Sequence, residues 1–197
     1  MFGQSVYHGL TKKYVTLFGS IFNDIIIERM DSEGDVVQTI KVPLMYGPKE
    51  KYIAKILSDP NLSKQIDQLL PRMSFEITDF SYDNDRKLNT TNRRSAPVSA
   101  SNTANQYMQY SPVPYNINMN LSILVKNVDD GLKIVEQILP YFTPDWTVPV
   151  TLIPSVNETK SIPIILNSIN YKDNYEGDYK EKRIIEWTLG FTMKVYY

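Results

Sequence analysis

Hydrophobic and polar residues alternate most regularly in two segments of the chain. From Tyr115 to Val125 the odd positions are apolar while most even positions are Asn or Ser, and the odd positions from Ile185 to Tyr197 repeat the pattern. A period of two is typical of a strand with one buried face. Residues 73–83 alternate in the same way. The pattern therefore predicts three strands of a sheet that is covered on one side.

Helical spacing predicts the elements between these strands. Apolar residues recur at threes and fours over residues 5–22, 48–59, 61–70 and 128–142, and Pro48 stands where the first turn of a helix begins. Residues 24–30 and 36–46 predict a hairpin of two strands. Residues 147–154 and 161–171 predict strands at a sheet edge, because each contains prolines.

These elements predict an α+β fold, in which helices pack on one face of a largely antiparallel sheet. The chain has 197 residues and shows neither an internal repeat nor a second apolar core. We therefore expect one domain, 1–197. Residues 84–112 interrupt it, because they are rich in Asn, Ser, Thr and Gln and poor in large aliphatic residues. They predict a long loop without secondary structure, an inserted flexible arm.

The inserted arm carries the clearest candidate binding residues. Four of them are basic and two are aromatic: Arg86, Lys87, Arg93, Arg94, Tyr107 and Tyr110. Arg and Tyr are favoured in protein interfaces, so the arm is suited to an acidic surface on a neighbouring protein. Single-stranded nucleic acid and plain solvent remain alternatives. The asparagines Asn116, Asn118 and Asn120 add a polar strand face that we expect to meet solvent or a partner.

Composition removes most catalytic chemistry from consideration. The net charge is −1, so bulk attraction to nucleic acid or to a membrane surface is not expected. The chain has no cysteine and a single histidine, His8, and it lacks the glycine-rich motifs of nucleotide sites. We predict a binding or structural protein without catalytic residues, cofactor or metal, soluble and made in a cytoplasm.

The segment QILPYFTPDW, residues 137–146, ends the last predicted helix. Pro140 lies in its final turn, and Pro144 prevents the helix from continuing. Tyr141, Phe142 and Trp146 are expected to anchor this helix end to the sheet. A subunit interface is the alternative role.

Six segments of the chain form a set of motifs, which begins with the N-terminal run YVTLFGSIF that contains Tyr14, Leu17 and Gly19 and continues with VPLMYGPKEKY and QYSPVPYNINMNLSIL. The first run resembles the opening of the tail sheath stabiliser and completion proteins of T-even-like contractile-tailed bacteriophages, and the other two resemble later segments of that family. The segments LLPRMSFEITDFSYD, IVEQILPYFTPDW and KRIIEWTL resemble three more. Their matching residues include Pro71, Arg72, Asp79, Phe80, Tyr82, Glu136, Pro140, Arg183 and Trp187.

The resemblance implies a non-enzymatic protein that forms a homo-oligomeric ring, a hexamer, with a fold similar to phage tail terminator proteins. Such a ring caps the neck-proximal end of the tail in the virion and is assembled in the host cytoplasm. Its implied partners are the tail sheath protein, the tail tube terminator and the neck and head-completion proteins, with neither membrane nor direct nucleic-acid recognition. The alternative is a nucleic-acid-binding accessory protein that uses the basic arm.

Overall fold

The computed structural model describes residues 7–31, 34–57, 70–99, 102–143, 145–153, 158–174 and 184–197. Three α-helices, a 3-10 turn and ten strands follow one another in this order: α1 (Leu10–Phe22), β1 (Ile26–Met30), β2 (Val36–Lys41), β3 (Leu44–Tyr46), α2 (Lys49–Leu57), β4 (Arg72–Tyr82), β5 (Arg93–Ser99), β6 (Asn102–Tyr110), β7 (Pro114–Val125), α3 (Val128–Ile138), the 3-10 turn (Leu139–Tyr141), β8 (Asp145–Ile153), β9 (Glu158–Asn174) and β10 (Ile184–Tyr196). The helix predicted at 61–70 lies almost entirely outside the described residues.

Six strands form the main sheet, in the order β3-β4-β7-β10-β9-β8. Every neighbouring pair is antiparallel except β3 and β4, which are parallel. The long alternating strands β7 and β10 lie side by side at the centre, where Leu121 pairs with Leu189. The predicted α+β fold with a largely antiparallel sheet is confirmed.

The main core lies on the sheet face that carries the odd-numbered residues of β7 and β10. Helix α1 covers this face with Tyr14, Phe18 and Phe22, which are all buried. Helix α3 covers it with Ile134 and Ile138. The two alternating patterns in the sequence therefore describe one apolar surface that two amphipathic helices complete.

Helix α2 is the exception, because it covers one end of the opposite face. Its Tyr52 packs with Leu70, Leu124 and Ile184 in a small second cluster. Leu124 and Ile184 are even-numbered residues of β7 and β10, so they point away from the main core. This explains why Leu124 interrupts the polar side of an otherwise regular alternation.

The prediction of one continuous strand over residues 36–46 is wrong. Strand β2 ends at Lys41 and pairs only with β1, whereas β3 joins the main sheet beside β4. Pro43, which has no N–H to donate, lies in the break between them. The first helix also begins later than predicted, after Gly9, whose φ of 64° is left-handed. His8 therefore precedes the helix, and it is exposed.

The expected edge position is confirmed for β8 but not for β9, which lies between β8 and β10. The prolines are nevertheless accommodated. Pro163 pairs with Thr147 of β8, and the pairing of β9 with β10 stops at the next residue, Ile164. Pro163 thus has a partner strand on one side, and its missing N–H interrupts no pairing with β10.

The prediction of a loop without secondary structure over residues 84–112 is also wrong. Strands β5 and β6 form an antiparallel hairpin, with Arg93 opposite Tyr110 and Pro97 opposite Gln106. This hairpin is a separate two-stranded sheet.

Among the described residues, no helix is long and apolar enough to cross a membrane.

Gly131 offers a test of how closely α3 packs on the sheet. A Cβ atom at this position would lie 2.8 Å from Nε1 of Trp187 and 3.1 Å from Cγ2 of Val125. We expect Gly131→Ala to lower the free energy of unfolding by up to about 2 kcal/mol, because overpacking costs about 1–3 kcal/mol and the greater helix propensity of alanine offsets about 1 kcal/mol of that cost. Urea unfolding followed by tryptophan fluorescence measures the change. The control Glu136→Ala, on the exposed face of α3, should have little effect, and equal stability of both variants would contradict the close packing.

Candidate protein interface

Arg86 fixes the start of the insertion to the main sheet. Its Nε donates to Oδ2 of Asp83 at 2.6 Å, and its Nη2 donates to the carbonyl oxygen of Tyr115 at 3.0 Å and to Oδ1 of Asn116 at 2.9 Å. The guanidinium also lies 5.1 Å from the ring centroid of Tyr196. Arg86, predicted as a residue of the mobile arm that reaches a partner, is instead bound to β7 and β10 of its own chain.

Asp83 completes this arrangement, which we call the Arg86 clamp. Its Oδ1 accepts hydrogen bonds from the backbone N–H of Asp85 and of Arg86. The hydrogen bond from the Arg86 guanidinium, together with its positive charge, lowers the pKa of the Asp83 carboxyl below its usual value. Asp83 and Arg86 are three residues apart, and this spacing could have indicated their ion pair in the sequence. The contacts of Arg86 with Tyr115 and Tyr196 could not be predicted in this way, because those residues lie on strands far along the chain.

The other candidates of the insertion lie on or beside the β5–β6 hairpin. Arg93 places its guanidinium 5.1 Å from the ring centroid of Tyr110, and Tyr110 is 63% exposed. Lys87 is exposed before the hairpin. Arg94 of β5 pairs with Gln109, and Tyr107 of β6 pairs with Ala96, but the side chains of Arg94 and Tyr107 lie outside the described part. The structure thus brings Arg93 and Tyr110 together and leaves Arg86 apart from them.

The asparagine face of β7 takes part in hydrogen bonds between strands of the same chain. Asn167 donates to Oγ1 of Thr192 at 2.6 Å, and this hydroxyl donates to Oδ1 of Asn118 at 2.7 Å. Nδ2 of Asn118 then donates to Asp79 at 3.4 Å. One polar row therefore crosses β9, β10, β7 and β4. The expectation that these asparagines meet solvent or a partner overlooked such partners within the sheet.

Asn116 and Asn120 flank this row and are also half-buried. Asn116 belongs to the Arg86 clamp. Asn120 pairs with Gly190, where a Cβ atom would lie 2.6 Å from Oγ of Ser168 and 3.7 Å from Oδ1 of Asn120. The absence of a side chain at Gly190 makes room for its polar neighbours on both adjacent strands.

Of the aromatic residues after α3, Phe142 is buried, whereas Tyr141 is largely exposed. Pro140 lies in the 3-10 turn. Phe142 is buried against Phe191 and Trp146, with ring centroids 5.1 Å and 6.0 Å away, and it thereby anchors the helix end as predicted. Tyr141 stacks on Trp146 at 5.3 Å but is 63% exposed. Pro144 lies outside the described residues.

A groove of about 470 Å³ opens beside these aromatic residues. Its apolar lining comes from the end of α1 and from the segment after α3, and it includes Ile21, Ile25, Pro140, Tyr141 and Trp146. Glu136 and Asp24 add acidic side chains to the lining. The exposed Tyr141 therefore belongs both to the anchor of the helix end and to an open surface.

Other family-motif residues serve packing. The Tyr14 hydroxyl donates to the Tyr196 carbonyl oxygen at 2.5 Å, and burial raises the pKa of Tyr14 to about 12. Leu17 packs half-buried at the edge of the core. Gly19 lets α1 approach Phe75, since a Cβ at this glycine would lie 2.9 Å from the ring. Tyr14, Leu17 and Gly19 therefore contribute to the packing of α1 on the sheet.

The motif residues of β4 and β10 lie on the sheet itself. Pro71 follows a cis peptide bond, and Arg72 lies 5.6 Å from the ring centroid of Tyr52. Phe80 and Tyr82 are exposed near the end of β4. Trp187 packs on Tyr171 with ring centroids 4.7 Å apart. Arg183 lies outside the described residues.

Two ion pairs were missed in the sequence. Asp130 lies in the first turn of α3, where an acidic residue commonly interacts with the helix dipole, but it is buried and binds Arg29 of β1, with Nη2 2.7 Å from Oδ2. Lys49 of α2 binds Glu186 of β10 at 2.6 Å, and this bond raises the pKa of Lys49. An acidic residue in the first turn of a helix looks the same in the sequence whether it interacts with the helix dipole or forms an ion pair with another strand. Only the three-dimensional contact distinguishes these two roles.

The sequence analysis also did not predict the exposed apolar surface of the β1–β2 hairpin. Four of its apolar side chains are largely exposed: Ile26, Met30, Val36 and Val37. The outer edge of β1 is covered by α3, because Lys133 donates to the carbonyl oxygen of Glu28 and Gln137 to that of Ile26. Strand β2 has no second partner strand among the described residues. An apolar strand edge is therefore open on this hairpin.

The described residues thus present two hairpins that are separate from the main sheet and an aromatic groove, surfaces of the kind that proteins use to bind one another. Within the same residues, no group of His, Asp or Glu side chains is arranged to hold a metal ion.

Residues 5–197 match a family described as T4-like virus Myoviridae tail sheath stabiliser. The chain is also 33% identical to the tail completion protein gp15 of Enterobacteria phage T4 over 198 residues, covering 97% of this chain and 71% of that protein. The chain belongs to the tail sheath stabiliser family of T4-like viruses, which confirms the resemblance drawn from its motifs.

The Arg86 clamp makes a testable contribution to stability. We expect Arg86→Ala to lower the free energy of unfolding by about 1–3 kcal/mol at neutral pH, because it removes the hydrogen bonds of the guanidinium and leaves the largely covered Asp83 carboxylate without its cation. The neighbouring exposed variant Lys87→Ala is the control and should lose little. Urea unfolding of both variants at neutral pH gives the comparison, and equal losses would contradict the clamp.

The same pair has a predictable pH dependence. Because Arg86 lowers the folded-state pKa of Asp83, the stabilisation is present above the unfolded value of about 3.9 and is lost as the pH falls through the lower folded value. The stability difference between wild type and Arg86→Ala should therefore narrow below about pH 4. A difference that stays constant into strong acid would show that the Asp83 charge is not involved.

Proposed function

We propose that the protein is a structural component of a contractile phage tail and forms a ring at the neck-proximal end. The ring is a hexamer that holds the last sheath ring and the tube terminator in place. Its outer surface receives the neck and head-completion proteins. The observation that carries this proposal is the family match over residues 5–197, which extends over nearly the whole chain.

The geometry supports a role in assembly. Strands β8 and β3 form the edges of the main sheet, and the two small sheets expose apolar or aromatic side chains such as Val37, Met108 and Tyr110. Open edges and apolar hairpins are liabilities in a free monomer, and natural proteins cover them. Assembly into a ring provides such a cover.

In this role the protein acts by binding. It uses neither a catalytic residue nor a cofactor, it resides in the virion tail, and it is assembled in the host cytoplasm without contact with a membrane. The alternative, a nucleic-acid-binding accessory protein, loses support because the guanidinium of Arg86 is held in the clamp. A strong salt dependence of binding to single-stranded DNA would restore it.

We expect the purified protein to be oligomeric, or to become so on tails that carry sheath and tube terminator. Size-exclusion chromatography with light scattering measures the mass of the free protein. Negative-stain microscopy of tails incubated with the protein shows whether a ring is added at one end and whether the sheath then stays in place. A protein that is monomeric at every concentration and adds nothing to such tails would contradict the proposal.

A further inference from the structure

Within the described part of the chain, the β5–β6 hairpin has little support from other elements. Among the described elements, its strands pack extensively only against each other, and its described side chains are exposed or half-buried. A two-stranded hairpin is only marginally stable in water by itself. This hairpin therefore gains most from a surface outside its own subunit.

The residue types of the β5–β6 hairpin indicate which kind of surface it would bind. From Arg86 to Val128 the sequence contains no Asp or Glu, although it contains Lys87, Arg93 and Arg94. On the hairpin itself, Met108 is 70% exposed and Tyr110 accompanies Arg93. Arg, Tyr and Met are enriched in protein interfaces. The complementary surface should be acidic and partly apolar.

The β1–β2 hairpin has these properties. Residues 24–35 contain five acidic residues and one basic residue, Arg29, whose charge is neutralised by Asp130. Asp35 is exposed and directly precedes the exposed apolar Val36 and Val37, and Glu28 is exposed on the paired strand. Positive and negative patches of this kind set the register of a contact and speed its formation.

The two hairpins lie at opposite ends of β7. The Arg86 clamp holds the start of the insertion at Tyr115 and Asn116, where β7 begins. The β1–β2 hairpin is tied to Asp130, just after β7 ends. Strand β7 has twelve residues, so the eleven steps from its first residue to its last span about 37 Å at about 3.4 Å per residue. A contact that joins opposite ends of two copies is head-to-tail, and such contacts close into rings when the rotation between copies permits.

We infer that the basic β5–β6 hairpin of one copy binds the acidic and apolar surface of the β1–β2 hairpin of the next copy. This inference rests on the proposed ring, and it specifies the two surfaces that build it. The contact covers the open edge of β2 and the exposed residues of both hairpins. It also assigns the insertion to contacts between copies, so the sheath and neck proteins are left to other surfaces.

Cross-linking between single-cysteine variants tests the contact directly, because the chain has no cysteine of its own. Ser95→Cys lies on β5 and Val37→Cys on β2, both at exposed positions. After the two variants are mixed and treated with a short bismaleimide, we expect a covalent dimer that neither variant forms alone. The control mixture pairs Ser95→Cys with Thr151→Cys on the exposed edge strand β8, and it should give only background product.

Light scattering on the same samples separates the possible failures. An oligomer of normal mass without a specific Ser95–Val37 product would overturn the inferred contact and leave the ring intact. A product from Ser95→Cys alone would also overturn it, since like surfaces would then meet. A monomer at every concentration would contradict the ring and this contact together.

Charge reversal provides a second readout. We expect Arg93→Glu to weaken association at least about tenfold, since like charges then face each other, and the additional change Asp35→Lys to restore it. Lys172→Glu, an exposed charge reversal on β9, is the control and should leave association unchanged. If Arg93→Glu associates normally but no longer binds sheathed tails, the hairpin contacts another tail protein and the inference is wrong.

Discussion

The packing around Phe191 is the constraint on which the rest of the structure depends. This residue of the central strand β10 is buried, and its ring centroid lies within 5.1–5.4 Å of those of Phe18, Phe22 and Phe142. Phe18 and Phe22 come from α1, and Phe142 comes from the segment after α3. Aromatic side chains bury large apolar areas and prefer such tilted arrangements. One cluster therefore holds the first helix and the end of the last helix on the same sheet, and two of the family motifs meet in it.

The sequence was most informative where burial follows a simple period. The odd-numbered residues of β7 and β10 were predicted to be the buried face, and residues such as Leu121 and Leu189 are fully buried. Polar contacts were less accessible to this reasoning. The partners of Asn118 are Asp79 and Thr192, which lie on different strands far along the chain. A polar residue opposite the core looks the same in sequence whether it meets water or another strand.

Two of the failed predictions have a shared physical cause. The β5–β6 hairpin is held by backbone hydrogen bonds and has too few apolar residues to show an alternation. In the same way, residues 36–46 read as one apolar strand, although Pro43 separates a segment that pairs with β1 from one that pairs with β4. Hydrophobic pattern predicts which side of a strand is buried, but it does not predict which strand is its neighbour. The candidate interface depended on this missing information, because strand pairing determines that Arg86 binds its own sheet while Arg93 remains on the hairpin.

The position of β7 has a mechanical consequence. It is paired with β4 on one side and with β10 on the other over most of its length. The hydrogen bonds of an antiparallel pair run perpendicular to the strands. A pull between the two ends of β7 is therefore carried along its extended covalent backbone and does not open the hydrogen bonds of either ladder one by one from an end. A ring joined through those ends would carry its circumferential tension along its best-supported strand.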